Sequence, residues 1–247
     1  MRWTWVIPLT LTALIISGCG TNQNNQNEEL NHKEEMVIKK GDIKEDNKEE
    51  KEVEKTKKSN QDDYLILVNK ESAIDENYKP NDLVVPEIRF PYEEIVEKRH
   101  VRKVAADALE KMFEAAEKEN IILFGQSGYR SYERQVAIYN GNVQSMGEEK
   151  ANAVSAKPGE SEHQTGLVMD ITSESVGFDV VEEFGETKEG KWVAAHAHEY
   201  GLIVRYPKGK EAITGYSYEP WHLRYVGEEV ATEIVKKNLT LEEYLNQ

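Results

Sequence analysis

A break in composition near residue 60 decides where this chain can build a core. From Gly20 to Asn60 the sequence is mostly Asn, Gln, Glu and Lys, with scattered apolar residues and no aromatic one. Such a segment has too little apolar surface to offset the entropy lost on ordering. Residues 19–60 therefore read as a disordered, hydrated stalk, in which Glu and Lys at helical spacing permit transient helix and His32 is solvated. Residues 61–247 hold what can pack, a length that suits one domain of ordinary size. The chain of 247 residues carries a formal net charge of −15. That balance argues against a nucleic-acid partner, which needs clustered Lys and Arg facing phosphates.

Residues 1–18 differ again. One early positive charge, Arg2, precedes an apolar run to Ile16 and then small residues. The run is too short to span a bilayer comfortably and has the shape of a secretory signal. Ile16-Ser17-Gly18-Cys19 resembles a bacterial lipobox, in which the cysteine is acylated and becomes the mature N terminus. Cys19 is also the only cysteine, which fits an exported protein without disulfides. The expectation is a lipoprotein signal peptide over 1–18, lipid on Cys19, and a protein exported and anchored to the outer face of the bacterial cell membrane. An ordinary signal peptide with an incidental cysteine is the alternative.

Beyond the stalk, Tyr64–Val68 reads as a short buried strand and Leu83–Val85 as another extended piece. A long helix is expected from about Tyr92 to Glu119, with Val101, Val104, Ala108, Leu109, Met112, Phe113 and Ala116 as its buried stripe. A strand follows over Ile121–Phe124, then a helix capped by Ser131 and reaching about Asn140, and a weaker one over Glu148–Ala156. Leu167–Ile171 alternates like a strand. A helix over Lys191–Tyr200 stops at Gly201, and strands over Leu202–Tyr206 and Trp221–Val226 follow. Helices over Glu228–Lys237 and after Thr240, whose spacing to Glu243 is a capping box, close the chain. Strands and helices mix without a regular repeat, so the expected class is α+β: a small mixed or antiparallel sheet flanked by helices.

Two fragments hold the candidate chemistry. In Ser161–Ile171 a histidine and an aspartate, His163 and Asp170, stand seven positions apart around Gly166; fifty residues later Glu219-Pro220-Trp221-His222 ends in a second histidine. A zinc hydrolase takes three protein ligands of His and carboxylate type and keeps one position for water. His163, Asp170 and His222 supply such a set if Gly166 turns the chain, because a straight strand would send positions seven apart to opposite faces. Glu219 and His222 are likewise an odd number apart, and Pro220 can break the ladder between them. Glu219 would then serve as base toward the water. Each residue alone fits a blander role: His163 in a loop, Asp170 as a buried polar partner, His222 as a satisfied strand histidine. Asp170 weighs against that, since a carboxylate among Leu, Val, Met and Ile is costly to bury unpaired.

The order S-x-H-x-x-G-x-x-x-D, then E-P-W-H, resembles the zinc D-alanyl-D-alanine carboxypeptidases of the VanY type, which include L,D-carboxypeptidases. The likeness extends to Ser127-Gly128-Tyr129-Arg130-Ser131 with Gln135, to Leu67–Lys70 and Tyr78–Leu83, and to Trp192 with Tyr200–Pro207. It covers residues 64 to 247. The resemblance implies the zinc DD-peptidase (hedgehog-like) fold. It implies one zinc ion held by His163, Asp170 and His222, and Glu219 as general base. It places Arg130 on the C-terminal carboxylate of the substrate with Gln135 beside it, and Ser161 and Tyr206 in the pocket wall. The reaction it implies is removal of the C-terminal D-alanine from peptidoglycan stem peptides, by a monomer. An L,D-carboxypeptidase on tetrapeptides, an endopeptidase on cross-links and a silent wall-binding lipoprotein are the alternatives. Where relatives often have asparagine before Y-G, this chain has His196.

Overall fold

The structure, a computed structural model, describes residues 64–247. The signal peptide, Cys19 and the stalk expected from the sequence lie outside the described residues. In chain order the elements are β1 (Leu83–Val84), β2 (Val101–Arg102), α1 (Lys103–Lys118), β3 (Phe124–Ser127), α2 (Tyr132–Met146), α3 (Glu148–Val154), β4 (Val168–Thr172), α4 (Lys188–His196), β5 (Leu202–Tyr206), α5 (Glu211–Thr214), β6 (Glu219–Tyr225), α6 (Glu228–Lys237) and α7 (Leu241–Leu245). Strands β3, β4, β6 and β5, in that spatial order, form a sheet in which every pairing is antiparallel. β1 and β2 make a separate two-stranded ribbon. The fold is α+β, as expected, with the sheet antiparallel throughout.

The sheet is buried by helices. Helix α1 presents Ala105, Ala108, Leu109, Met112, Phe113 and Ala116, and these join Met169, Ile171 and Leu223 of the sheet with Phe184, Trp192 and Val193 in one cluster. A second cluster gathers Ile203, Val226, Val230, Ala231, Ile234 and Leu241. Each large apolar side chain so buried contributes about 1.5–3 kcal/mol. β4 is buried along its whole length, on both faces.

Tertiary partners override local pattern in three places. The helix expected from Tyr92 begins only at Lys103, because Val101 and Arg102 pair with Val84 and Leu83. The Arg102 N–H donates to the Gly166 carbonyl at 2.8 Å, and that of Lys103 to Asp82 at 3.0 Å. The strand expected over Tyr64–Val68 is absent; Arg224 Nη2 instead donates to the carbonyls of Tyr64 and Ile66 at 2.9 and 2.8 Å. β3 starts at Phe124 and not at Ile121, whose N–H closes the end of α1 onto the Ala116 carbonyl at 2.9 Å. Elsewhere local signals hold. The helical run after Lys188 becomes a 3₁₀ turn at Ala197–Tyr200 and stops at Gly201 with φ 78°, and Thr240 and Glu243 form the capping box of α7.

Candidate active site

Asp170 lies on a central strand of the sheet, with Ser127 of β3 opposite it on one side and His222 of β6 on the other. Directly opposed residues share a face at about 5 Å between Cβ atoms, and here His222 Nδ1 comes within 3.0 Å of Asp170 Oδ1. His163 arrives from a 3₁₀ turn over Glu162–Thr165, closed by Gly166 in the left-handed region at φ 68°. A Cβ on Gly166 would stand 2.9 Å from Leu83 Cδ2, so both conformation and space call for glycine. Thr165 Oγ1 braces the turn, donating to the Glu162 carbonyl at 2.6 Å and accepting from the Leu167 N–H at 3.1 Å. The turn brings His163 Nε2 to 3.4 Å from Asp170 Oδ2. One ligand atom from each of His163, Asp170 and His222 lies within 4.8 Å of the others, and all three residues are buried.

These side chains fit a divalent cation. His163 Nδ1 lies 2.7 Å from the Gly128 carbonyl, which it can meet only as a donor, leaving Nε2 as the free lone pair toward Asp170. Asp170 Oδ1 is buried without a hydrogen-bond partner among the described residues. Burial alone would raise the Asp170 pKa, but His163 and His222 outweigh it and hold the carboxyl well below its usual range. Burial would lower His222, yet the carboxylates of Asp170 and Glu162 push it up to about 9. Burial is the main cause that lowers His163. Two imidazoles and a carboxylate converging in a buried pocket suit a borderline metal such as zinc.

Glu219 opens β6 opposite Tyr206. Between the pairs Val204–Leu223 and Tyr206–Glu219, three residues of β6 face only one of β5. This bulge, at Pro220–His222, turns Glu219 and His222 toward one another, and Glu219 Oε2 lies 3.7 Å from His222 Nδ1. Burial first, then the charges of Asp170 and Glu162, push the Glu219 pKa up to about 7 against the opposing pull of His222 and Arg130.

His163, Asp170, Glu219 and His222 line one cleft of about 450 Å³, together with Arg130, Ser161 and Tyr206. Gln135 does not line it. Its Oε1 accepts from Arg130 Nη1 at 2.8 Å while its Nε2 donates to the Ala156 carbonyl at 2.6 Å, so it holds the arginine. It sits in the first turn of α2, which is capped by Ser131 accepting from the Arg134 N–H at 3.3 Å. Tyr206 stacks on His222 at 4.9 Å and on Tyr216 at 4.6 Å between centroids.

Residues 98–228 match the family described as VanY, D-alanyl-D-alanine carboxypeptidase, a stretch that contains every site residue from Arg130 to His222. The chain belongs to the VanY family. The Bacillus subtilis protein YodJ, which carries the name of a carboxypeptidase, is 55% identical over 188 residues, 76% of this chain and 69% of that one. A solved LD-carboxypeptidase, LdcB, is 56% identical with a TM-score of 0.73, over 76% of this chain and 87% of that one. A VanY D,D-pentapeptidase crystallised with Zn(II) is 33% identical with a TM-score of 0.61, over 74% and 99%.

Within this VanY-family cleft the structure adds residues to which the motifs assign no role. Lys70 lines it with its Nζ 4.8 Å from the Tyr216 ring centroid, and Glu182 lines it too. Glu162 is also there, wholly buried. Burial alone would raise its pKa, but Arg205 and Arg224 hold it well below the carboxylate range. A signal for Glu162 exists in the sequence: Arg205 and Arg224 each sit inside an apolar strand and need a buried acid. His196 is not in the cleft; it stacks on Trp192 at 4.8 Å and meets Glu199 at 3.0 Å.

Proposed function

We propose that the protein is a zinc-dependent carboxypeptidase that removes one D-alanine from the C terminus of peptidoglycan stem peptides. The observation that carries this reading is the convergence of His163 Nε2, the Asp170 carboxylate and His222 Nδ1 beside Glu219, in the cleft that Arg130 also lines. A zinc ion held there supplies Lewis-acid activation of water and of the scissile carbonyl. Glu219 takes the proton of the attacking water and returns it to the leaving amine; in the metal-free site burial and the neighbouring carboxylates push its pKa up to about 7. Arg130, aimed by Gln135, binds both oxygens of the free terminal carboxylate. That clamp sets the cut one residue from the end and supports a carboxypeptidase over an endopeptidase. Tyr206 walls the pocket and packs the face of His222.

Two bonds in stem peptides release a terminal D-alanine: the D,D bond of the pentapeptide and the L,D bond of the tetrapeptide. The family resemblance of the sequence implies the first, with the second as its alternative, and the same ligand set serves both. The 56% identity to LdcB, against 33% to the VanY D,D-pentapeptidase, supports the second, which we take as the preferred bond. Muropeptides of both lengths, incubated with the zinc-loaded protein and read by mass spectrometry, distinguish the two. Faster loss of one alanine from the tetrapeptide is expected; loss from the pentapeptide alone would return the assignment to the D,D bond.

A further inference from the structure

We infer that Glu162 is a positioning residue for the metal centre: its free carboxylate oxygen takes the Nε2–H of His222 and holds that ring in the tautomer whose Nδ1 lone pair faces Asp170. The inference rests on the metal reading above and goes beyond it, because Glu162 is not among the ligands and acts only through His222.

Glu162 directly precedes His163 in the 3₁₀ turn and is 1% exposed. Its two oxygens have different surroundings. Oε1 accepts from Arg205 Nε at 2.7 Å and from Arg224 Nη1 at 2.6 Å, and both arginines are fully buried. Arg205 is gripped again from the far side, where Nη1 and Nη2 donate to Glu242 of α7 at 2.9 and 2.6 Å. Glu242 in turn accepts from Asn69 Nδ2 at 3.3 Å. Arg224 is fixed by the carbonyls of Tyr64 and Ile66. A carboxylate held by two immobilised guanidinium groups cannot rotate freely, so the direction of Oε2 is set.

Oε2 is buried with no hydrogen-bond partner among the described residues, and so is His222 Nε2; the two lie 3.5 Å apart. Buried polar atoms almost always find partners, and here an acceptor and a ring nitrogen are left over beside each other. A closer approach of about 0.5 Å makes a full hydrogen bond. The other carboxylates near the ring, Asp170 and Glu219, lie on its Nδ1 side, and Tyr206 and His163 meet it through their rings. Metal-ligating histidines regularly give their second N–H to a carboxylate or a carbonyl, which fixes tautomer and ring orientation. In this site the two histidines are set by different means: His163 by the Gly128 carbonyl, His222 by Glu162.

The test is Glu162→Gln. The amide oxygen can still serve both arginines, which requires its NH₂ to face His222 Nε2. A donor there favours the opposite tautomer, with the proton on Nδ1. Zinc affinity, measured by chelator competition, should fall about 10–100-fold. ¹⁵N spectra of metal-free protein recorded well above pH 9, where the ring has lost its second proton, should show the remaining proton on Nε2 in the wild type and on Nδ1 in the variant. A residue that mattered only for folding would lower the melting temperature and leave the tautomer where it was. Equal zinc affinity in the two proteins overturns the inference. So does a wild type whose neutral His222 carries its single proton on Nδ1, a result that stands even if the variant does not fold. A wild type that takes up no zinc would overturn the metal reading instead, while its tautomer still reports on Glu162.

Discussion

Arg130 owes its place to Gln135, five residues along and one hydrogen bond away, and the clamp reading makes a sharp prediction about it. Arg130→Ala should lower kcat/KM about 100-fold on peptides with a free C-terminal carboxylate, the scale of a charge-assisted, two-pronged contact. Peptides with an amidated end should show little further loss, and equal losses on both would contradict the clamp. His222 makes a second prediction. Its pKa in the metal-free protein is about 9, raised above the usual 6.5, so below pH 9 it keeps a proton that the metal must displace. Zinc affinity should therefore rise about tenfold per pH unit between pH 6 and 8 and level off near 9; competition titrations showing a flat profile would contradict this. The candidate ligands were legible in the sequence because a carboxylate inside an apolar strand, Asp170, asks for a partner, and a glycine four residues before it offers the turn. Glu162 was not legible from its own neighbours, because its partners Arg205 and Arg224 are 43 and 62 positions away.

Among the elements, the turn that delivers His163 is the one the site depends on most. Gly166 holds a positive φ of 68°, and an added Cβ would press on Leu83 Cδ2 at 2.9 Å and Arg102 Cγ at 3.1 Å. Gly166→Ala should destabilise the protein by about 1–3 kcal/mol in urea denaturation, from left-handed strain and crowding, and should weaken zinc uptake as His163 shifts. Unchanged stability together with unchanged zinc binding would show that the turn is not what places the ligand. Elements whose ends are set locally were read well from sequence: α6, and α7 with its capping box at Thr240 and Glu243. The misread ones have distant partners. The backbone of Tyr64–Val68 is engaged by a guanidinium from β6, and Val101–Arg102 is drawn out of helix by β1 and by Gly166.

At the scale of the whole molecule, the order β3-β4-β6-β5 does what no local pattern announces: it sets Asp170 directly beside His222 although some fifty residues of chain lie between them. The buried Glu162–Arg205–Arg224–Glu242 network then ties the last helix to the sheet behind the cleft. The class was readable from mixed helical and strand periods, and the site from ordered motifs; the strand order was not, since antiparallel pairing is chosen by which faces bury together and not by spacing along the chain. The central claim is that the two motif fragments form one metal site with Glu219 as its base. The most direct test compares wild type with Glu219→Gln, measuring zinc per chain by elemental analysis and D-alanine released from the tetrapeptide. Zinc content should stay the same while turnover falls about 10²–10⁴-fold; turnover left intact, or zinc lost along with it, would contradict the account.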